Sequence, residues 1–410
     1  MKDKHCRFCG KELKHTFVDL GLSPVSNEYV TEENLDKGQY FYPLNVKVCG
    51  SCKLVQALEY QKPAEIFTDY KYFSSFSKSW LKHSENYVNM IVPRLGLKQD
   101  SLVFEIACND GYLLQYFKPQ NIPVCGIEPA ANVAEEARKK GIEVEVEFWG
   151  EDSAKQIVKK HGKADLIIGN NVLAHVPDIN SFVEGMVVAL KEDGTITMEF
   201  PHLLKLMKLN QFDTIYHEHF SYFSLMTVIT IFREHNLKIY DVEELKTHGG
   251  SLRIYATHTD NARYTETANV SCVLEEEKQY GLDRIETYEN FKDQVNKIKR
   301  ESCKTIIELK EQGAKIAAFG AAAKGNTFLN YCGIGKESID FVADSSVAKQ
   351  GLFLPGTLIP IVEPEVICRE KPDYIILLAW NLKEELSEVL AYTREWGCKL
   401  ITCIPQVEVF

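Results

Sequence analysis

The sequence lacks several features that would place it in common classes of protein. None of its apolar runs approaches the roughly 20 uninterrupted apolar residues of a membrane span, so we expect no membrane partner. Positive charge is not in excess, because the net charge is −11 and falls on no single tail. This argues against binding to nucleic acid through phosphate neutralisation. The first residues, Met1 to Cys6, contain no apolar signal region, and we therefore expect a cytoplasmic protein.

The cysteines lack the arrangement of a disulfide framework. Eight of the twelve are scattered singly, mostly in apolar runs, which is typical of buried thiols in a cytosolic protein. The other four form two C-x-x-C pairs, Cys6/Cys9 and Cys49/Cys52. These two turns predict a closed four-thiolate site for a structural Zn²⁺ ion rather than a catalytic one. The alternative, redox-active dithiols, would need a thioredoxin-like context that the sequence does not provide.

A length of 410 residues favours two or three domains. A helix is predicted from Ser77 to about Leu95, and strands alternate with helices from residue 101 onward. The first apolar strand starts at Val103 and ends in a small-residue turn that opens a helix over Tyr112–Phe117. Further strands are predicted at 124–128, Glu143–Phe148, 165–171 and Thr195–Phe200, followed by an edge hairpin of Leu237–Val242 and Ser251–Thr257. This α/β order resembles the class I S-adenosylmethionine-dependent methyltransferases, which have a Rossmann-like core.

The first turn lacks most of the glycines of that family's usual pattern. It reads Glu105-Ile-Ala107-Cys-Asn109-Asp110-Gly111, so only the last glycine remains. A dinucleotide would need three glycines for close approach of its pyrophosphate, whereas S-adenosylmethionine has no phosphate. An acid that ends the second strand, Glu128, can accept both hydroxyls of a ribose. The resemblance assigns the cofactor to Glu105, Ala107, Asn109, Asp110, Gly111, Glu128, Asn170 and Asn171, although Glu105 and Asp110 could instead be caps.

Four polar residues, Tyr216-His217-Glu218-His219, follow the fifth predicted strand. Ligands of open α/β sheets bind outside the carboxyl ends of the strands, and histidine titrates near neutrality. The segment could therefore remove a proton and stabilise the anion that remains. The alternatives are a surface loop rich in histidine, or a metal pair of His217 and His219.

A second strand–helix alternation follows a polar helical stretch from Leu274 to about Gln312. Its first strand, from Lys315, runs into Gly320-Ala-Ala-Ala-Lys324-Gly-Asn326-Thr327, where backbone N–H groups and one lysine favour an anion. The order Gly-Lys-Ser/Thr of a P-loop is absent. Strands at Ile339–Ala343, Leu358–Val362, Tyr374–Leu378 and Lys399–Cys403 would complete a small parallel sheet. The alternative is a degenerate Rossmann-like domain that serves packing alone.

The whole chain resembles the bacterial nucleotide-sugar C-methyltransferases, which join a four-cysteine zinc module, a methyltransferase core and a C-terminal Rossmann-like domain. The matching stretches are the four cysteines, 105–111, 170–177, 216–219, 248–251 and 320–327. On this basis we divide the chain into residues 1–75, 76–260 and 261–410.

The resemblance implies that the substrate is a nucleoside-diphosphate 4-keto-deoxysugar that is methylated on a carbon beside the ketone. It makes His219 the general base and Tyr216 the phenol on the enolate side. It also assigns Glu218, His175 and Tyr72 to the catalytic pocket, and Ser251, Lys324, Asn326 and Thr327 to substrate binding. It specifies neither the nucleotide nor an oligomeric state. The rival functions are an O-methyltransferase of a sugar or small molecule, and a non-catalytic protein that binds zinc and S-adenosylmethionine.

Overall fold

The computed structural model describes residues 4–60 and 73–410, and within them the chain forms three β-sheets. The first sheet belongs mainly to the N-terminal module, but its last strand comes from the segment that follows His219. All of its strands pair antiparallel, with Val55 opposite Tyr222 at the junction. Its strands are, in spatial order, β1 (His15–Ser23), β2 (Tyr42–Val48), β3 (Val55–Ala57) and β9 (Ser221–Tyr222).

The second sheet has the predicted parallel core with a reversed hairpin at one edge. Its order is β10-β11-β8-β7-β4-β5-β6, in which β8 to β6 are parallel while β11 and β10 are antiparallel to their neighbours. This topology confirms the class I methyltransferase fold. Its strands are β4 (Val103–Ile106), β5 (Val124–Ile127), β6 (Glu143–Glu145), β7 (Ala164–Asn170), β8 (Leu190–Pro201), β10 (Leu237–Leu245) and β11 (Ser251–His258).

Two predictions within this sheet were wrong. The third strand stops at Glu145 rather than Phe148, because its partner β5 ends at Ile127, opposite Glu145. The helix predicted over Tyr112–Phe117 is a series of turns with a 3-10 segment at Leu114–Tyr116. Pro119 follows closely, and the chain turns left-handed at Asn121 (φ 54°), so a regular helix cannot continue here.

The third sheet contains the predicted C-terminal strands, although two of them are shortened to Val342–Ala343 and Ile361–Val362, and it adds one strand that was not predicted. Its order is β14-β13-β12-β15-β16-β17, and only the added strand β17 is antiparallel. The strands are β12 (Ile316–Phe319), β13 (Val342–Ala343), β14 (Ile361–Val362), β15 (Tyr374–Leu377), β16 (Lys399–Thr402) and β17 (Glu408–Val409).

The helices cover the two larger sheets. The predicted helix after Ser77 is present, and the Ser77 side chain caps it by accepting from the N–H of Trp80. The long polar stretch is three helices rather than one, because Gly281 (φ 98°) ends the first of them in a left-handed turn. The helices are α1 (Lys78–Leu95), α2 (Ala131–Lys139), α3 (Glu151–His161), α4 (Ile179–Ala189), α5 (Leu203–Lys208), α6 (Leu225–Glu234), α7 (Ala268–Tyr280), α8 (Ile285–Glu289), α9 (Phe291–Glu311), α10 (Ala323–Cys332), α11 (Val366–Glu370) and α12 (Lys383–Val389).

The N-terminal sheet packs against the long helices that precede the third sheet. Phe17 of β1 stacks on Phe291 with ring centroids 4.7 Å apart, and both side chains are fully buried. Their apolar core is continuous with that of the third sheet. This packing joins the N-terminal sheet, the helices before the third sheet and the third sheet through one apolar core. In the part of the chain described here, every helix falls short of the length and apolar character that a membrane crossing requires.

We predict that Gly126→Ala destabilises the second sheet. An added Cβ in β5 would overlap the Sγ atom of Cys108, which is itself buried. Overpacking of this kind costs about 1–3 kcal/mol, so the melting temperature should fall measurably. Gly38→Ala is the matched control, because nothing lies within 4 Å of its added Cβ. Equal melting temperatures for both variants and the wild type would contradict this account of the packing.

Candidate active site

The four N-terminal cysteines converge as the sequence predicts. The Sγ atoms of Cys6 and Cys52 are 3.6 Å apart, those of Cys9 and Cys49 are 3.5 Å apart, and all four lie within 4.8 Å of one another. A tetrahedral zinc ion with Zn–S bonds of about 2.3 Å places its sulfurs about 3.8 Å apart. The cysteines therefore fit a closed four-thiolate zinc site, which leaves no coordination position for a substrate.

One other group of metal-ligand type occurs among the described residues, at the edge of the second sheet. It consists of Cys125, Glu145 and His161. The Glu145 carboxylate already forms ion pairs with His161 at 2.6 Å and Lys160 at 2.5 Å, which lower its pKa. Ordinary ion pairing accounts for this cluster.

The first turn of the second sheet, residues 107–111, contains left-handed backbone conformations at two residues that are not glycine. Ala107 and Asn109 adopt left-handed backbone conformations, with φ of 56° and 51°. Gly111 has φ 74°, and an added Cβ there would overlap Cδ1 of Ile142. Only a glycine fits this last position, which explains why it is the one retained. Glu105 is fully buried at the end of β4, and burial holds its pKa well above the usual range.

The Glu128 carboxylate is hydrogen-bonded to the backbone of this first turn. Its two carboxylate oxygens accept hydrogen bonds from the N–H of Asn109 at 3.0 Å and from the N–H of Ala130 at 2.9 Å. Burial raises its pKa, and these two bonds oppose the increase. Each oxygen retains a second lone pair, so the carboxylate can also accept ribose hydroxyls.

Asn109 and Asp110 hold the short turn that precedes α1. Their side-chain oxygens accept from the N–H groups of Ser74 at 2.9 Å and Ser75 at 3.3 Å. The second oxygen of Asp110, like Oδ1 of Asn171, is buried and has no hydrogen-bond partner among the described residues. Acceptors in this position fit the hydroxyl and ammonium groups of S-adenosylmethionine. Asn170 and Asn171 end β7 as expected, and the Asn171 amide lies 3.2 Å from Nε2 of His248.

The predicted base and phenol are hydrogen-bonded to each other. Nδ1 of His219 lies 2.9 Å from the carbonyl oxygen of Thr214, and because a carbonyl only accepts, Nδ1 carries the proton. Nε2 is then an acceptor, and it receives the Tyr216 hydroxyl at 2.8 Å. Burial and the nearby His175, His248 and Lys324 keep the pKa of His219 well below its usual range. His219 is therefore a neutral imidazole at physiological pH.

His175 and Glu218 stand beside this pair. Nδ1 of His175 donates to the backbone carbonyl of Glu218 at 2.8 Å, and its ring meets that of His219 edge-on at 4.7 Å. Burial lowers the pKa of His175 to about 4. Burial raises the pKa of Glu218 to about 7, against which a hydrogen bond from Asn27 acts. The turn thus contains neutral imidazoles and one carboxyl that titrates near neutrality.

His217 points away from His219. Its ring contacts Tyr42 and Tyr60 edge-on, and its Nε2 lies 3.4 Å from the carbonyl oxygen of Pro43. His217 and His219 belong to none of the metal-ligand groups found among the described residues. The alternative of a His217/His219 metal pair is therefore not supported.

The four residues 216–219 are called the catalytic turn below. Lys324, at the start of α10, faces this turn from the third sheet. It is half-buried, desolvation lowers its pKa, and its charge in turn lowers the pKa values of His219 and His248. Its ammonium group donates to the Asn381 amide oxygen and lies 4.9 Å from the centre of the Trp380 ring. Its hydrogen-bond partner is thus an amide rather than a carboxylate.

The other residues assigned to substrate binding make contacts within the protein. Asn326 donates to the carbonyl of Ser26 at 2.6 Å, and Thr327 donates to the carbonyl of Ile215 at 3.0 Å. Ser251 donates to the carbonyl of Thr247 at 3.0 Å. All three side chains are buried. Their role in binding substrate stays a prediction, and Tyr72 lies outside the described residues.

Two residues near the catalytic turn received no role from the sequence. Asn27 donates to both carboxylate oxygens of Glu218, at 2.7 and 2.9 Å, and the two residues are 191 positions apart in the chain. His248 has φ 52° and lies between Asn171 and the Trp80 ring. The stretch His-Gly-Gly-Ser was a signal for His248, but nothing around Asn27 indicated its contact.

Comparisons with known proteins match the three parts of the chain to three family models. These are a zinc binding domain over residues 6–67, a methyltransferase domain over residues 80–242 and a C-methyltransferase C-terminal domain over residues 246–405. Together with the sheet topology they define a zinc-containing, S-adenosylmethionine-dependent methyltransferase.

A relative matches almost the whole chain. It is the C-methyltransferase NovU of Streptomyces niveus, which is 35% identical over 404 residues and is aligned over 98% of this chain and 96% of its own. The chain therefore belongs to the C-methyltransferase family that includes NovU, and it is an S-adenosylmethionine-dependent C-methyltransferase.

Solved structures of other methyltransferases are similar over less than half of the chain. An S-adenosylmethionine-dependent methyltransferase of Clostridium acetobutylicum is 11% identical, with a TM-score of 0.35 over 43% of this chain and 92% of its own. Magnesium protoporphyrin IX methyltransferase of Synechocystis, with bound S-adenosylhomocysteine, is 16% identical, with a TM-score of 0.36 over 43% of this chain and 83% of its own.

We predict that the zinc ion supports folding rather than chemistry. Purified protein should contain about one zinc per chain, and Cys9→Ser or Cys52→Ser should lose the metal and lower the melting temperature. Cys272→Ser is the control, because this cysteine is exposed and apart from the site. A zinc-free wild type with four free thiols and an unchanged melting temperature would refute a structural zinc site.

We predict that Glu128→Gln weakens binding of S-adenosylmethionine about tenfold or more. The substitution keeps the size of the side chain but removes the charge that strengthens hydrogen bonds from ribose hydroxyls. Calorimetric titration measures the effect, with Glu135→Gln on the exposed side of α2 as the control. Equal affinities for wild type and Glu128→Gln would remove Glu128 from the cofactor site.

Proposed function

We propose that this C-methyltransferase acts on a nucleoside-diphosphate 4-keto-deoxysugar and methylates a carbon beside the ketone. The observation that carries the proposal is the hydrogen-bonded series from the Thr214 carbonyl through His219 to the Tyr216 hydroxyl. A saturated sugar carbon becomes a nucleophile only when a proton beside a carbonyl is removed. That step needs a neutral base and a donor for the developing oxyanion, and this series offers both.

His219 is the base in this proposal. Its Nδ1–H donates to the Thr214 carbonyl, so Nε2 carries the lone pair, which here accepts from the Tyr216 hydroxyl. In the proposed step the Tyr216 hydroxyl first turns from Nε2 to the substrate carbonyl oxygen. When the C–H bond breaks, its electron pair becomes the enolate and the proton moves to the freed Nε2. The Tyr216 hydroxyl then donates to the enolate oxygen. Because burial depresses the pKa of His219, the imidazole is unprotonated over the whole neutral range.

Lys324 supports an anionic substrate. A desolvated ammonium group is costly unless a counter-charge is near, and its hydrogen bond here goes to a neutral amide. Asp213, whose own pKa burial raises to about 6, is mostly ionised at neutral pH and offsets part of this cost. A diphosphate in the cleft would complete the charge balance. We therefore place the diphosphate of the substrate near Lys324.

The cofactor residues stand on the other side of the catalytic turn. Glu128 and the backbone of the first turn would hold the ribose, while Asp110 and the Asn171 amide oxygen would receive the amino acid part. Bound S-adenosylmethionine supplies an electrophilic methyl group. The contact between Asn171 and His248 links this end of the cleft to the substrate end.

We predict that His219→Asn abolishes both methylation and proton exchange while substrate and cofactor still bind. Loss of a positioned base typically lowers the rate about 10²- to 10⁴-fold. In D2O with the keto-sugar and S-adenosylhomocysteine, wild type should incorporate deuterium at the carbon beside the ketone, as measured by NMR or mass spectrometry. The variant should not.

Two further variants make this test specific. Tyr216→Phe should slow exchange if the phenol stabilises the enolate, and should abolish it if the phenol is itself the base. His258→Asn, whose ring contacts the Leu190 carbonyl away from the cleft, should behave as wild type. Turnover by His219→Asn at the wild-type rate would refute the assignment of the base.

A further inference from the structure

The loop after β1 of the zinc module contributes a side chain to the catalytic turn. Nδ2 of Asn27 donates to both oxygens of the Glu218 carboxylate, at 2.7 and 2.9 Å. Glu218 is only 2% exposed, whereas Asn27 is exposed. The amide therefore lies between the buried carboxylate and solvent. It is the hydrogen-bond donor that Glu218 has among the described side chains.

Contacts on both sides of Asn27 hold its backbone in place. The carbonyl of Ser26 accepts from the buried Asn326 amide at 2.6 Å. The Tyr29 hydroxyl donates to the carbonyl of Ala321 at 2.7 Å. One residue further on, the N–H of Val30 bonds the carbonyl of Phe353 at 2.9 Å. The loop is thus fastened to the third domain, while Asn27 itself reaches the catalytic turn.

We propose that Asn27 is a positioning residue of the methyltransferase: its amide holds the Glu218 carboxylate in one orientation, so that Glu218 can accept a hydrogen bond from the sugar. This inference rests on the proposed function for the identity of the substrate. It gives the zinc module a part in the reaction, because folding of that module sets the position of Asn27.

The chemistry follows from the burial of Glu218. A buried carboxyl favours its neutral form, and a hydrogen bond donated to the carboxylate favours the charged form. The direction of each effect is clear here, since burial raises the pKa of Glu218 to about 7 and Asn27 lowers it. When the pH falls below that pKa, the Glu218 carboxylate becomes protonated and loses its charge. Removal of the Asn27 amide should raise this pKa, so that protonation occurs at a higher pH.

Other titratable groups near Glu218 are neutral or distant enough to leave this effect visible. On the opposite side, the pKa of His175 lies far below neutrality. Tyr29, whose own pKa is raised by burial and by Asp344 and Glu218, remains protonated. The groups that face Glu218 are Tyr29 with Asp344 and Lys349 behind it, His175 from the turn after β7, and Tyr216, His217 and His219 from its own turn.

The test is a double-mutant cycle of Asn27→Ala and Glu218→Gln, read as the pH dependence of kcat/KM for the keto-sugar. Asn27→Ala should move the acid limb of the profile upward by about one pH unit, because a hydrogen bond to a charged group is lost. Asn27→Asp keeps the side-chain shape and should move it further, since two carboxylates would then share the site. Adding Asn27→Ala to Glu218→Gln should change kcat/KM less than twofold, because the amide introduced by Glu218→Gln cannot titrate.

Asn45→Ala is the matched control, because Asn45 lies on β2 of the same module and donates to the exposed Asp19 at 2.9 Å. It should leave the profile unchanged. An unshifted acid limb in both Asn27 variants, or full additivity in the double mutant, would overturn the proposal.

A carbon NMR titration separates this inference from the proposed function. With glutamate labelled at Cδ, the Glu218 signal is assigned by its loss in Glu218→Gln, and no substrate is needed. Its pKa should be higher in Asn27→Ala than in wild type. If the wild type methylates no nucleotide keto-sugar, the proposed function fails, while this shift still tests Asn27. Equal pKa values would overturn the role of Asn27 even in an active enzyme.

Discussion

The backbone of Phe220 holds the catalytic turn between two parts of the chain. Its N–H donates to the carbonyl of Ala174 at 2.7 Å, and its carbonyl accepts from the N–H of Ala57 at 3.0 Å. Ala174 precedes His175 at the end of the methyltransferase sheet, and Ala57 ends β3 of the zinc module. Because Phe220 directly follows His219, these two bonds set the distance between the imidazoles of His175 and His219. The pairing of β9 with β3 then continues the same junction.

Burial at this junction controls the charges of the site. It lowers the pKa values of His175 and His219 and raises that of Glu218, so the imidazoles are neutral where a base is needed. Lys324 reinforces the effect on His219 from the third domain. The charges of the proposed site therefore depend on residues from outside the turn as well as within it.

Much of the fold could be predicted from the sequence because its signals are local. Apolar strands separated by helices, and two C-x-x-C pairs, specify the sheets and the zinc module without reference to distant residues. The errors arose where another element decides the outcome. The third strand ends where its partner ends, and the turns after Tyr112 depend on Pro119 and on the left-handed Asn121.

The same distinction applies to the site. Tyr216 and His219 are three residues apart and were both singled out from the sequence, and their contact lies within one turn. Asn27 contacts Glu218 across a long stretch of the chain, and no spacing or motif encodes that contact. Asn326 and Thr327 show the opposite case. Their polar side chains lie at a helix start, where they could bind an anion, but here they donate to the carbonyls of Ser26 and Ile215. The local sequence is the same for anion binding and for these internal hydrogen bonds, so it cannot distinguish the two.

The central claim is that the methyl group is transferred to a carbon that has lost its proton. Incubation of the enzyme with a nucleoside-diphosphate 4-keto-deoxysugar and S-adenosylmethionine labelled with carbon-13 in its methyl group tests this most directly. The account predicts a product in which the labelled methyl is bonded to a ring carbon beside the ketone and that carbon has lost one hydrogen. Multiple-bond NMR correlations would show this connection. A labelled methyl bonded to oxygen, with every ring hydrogen retained, would contradict the account.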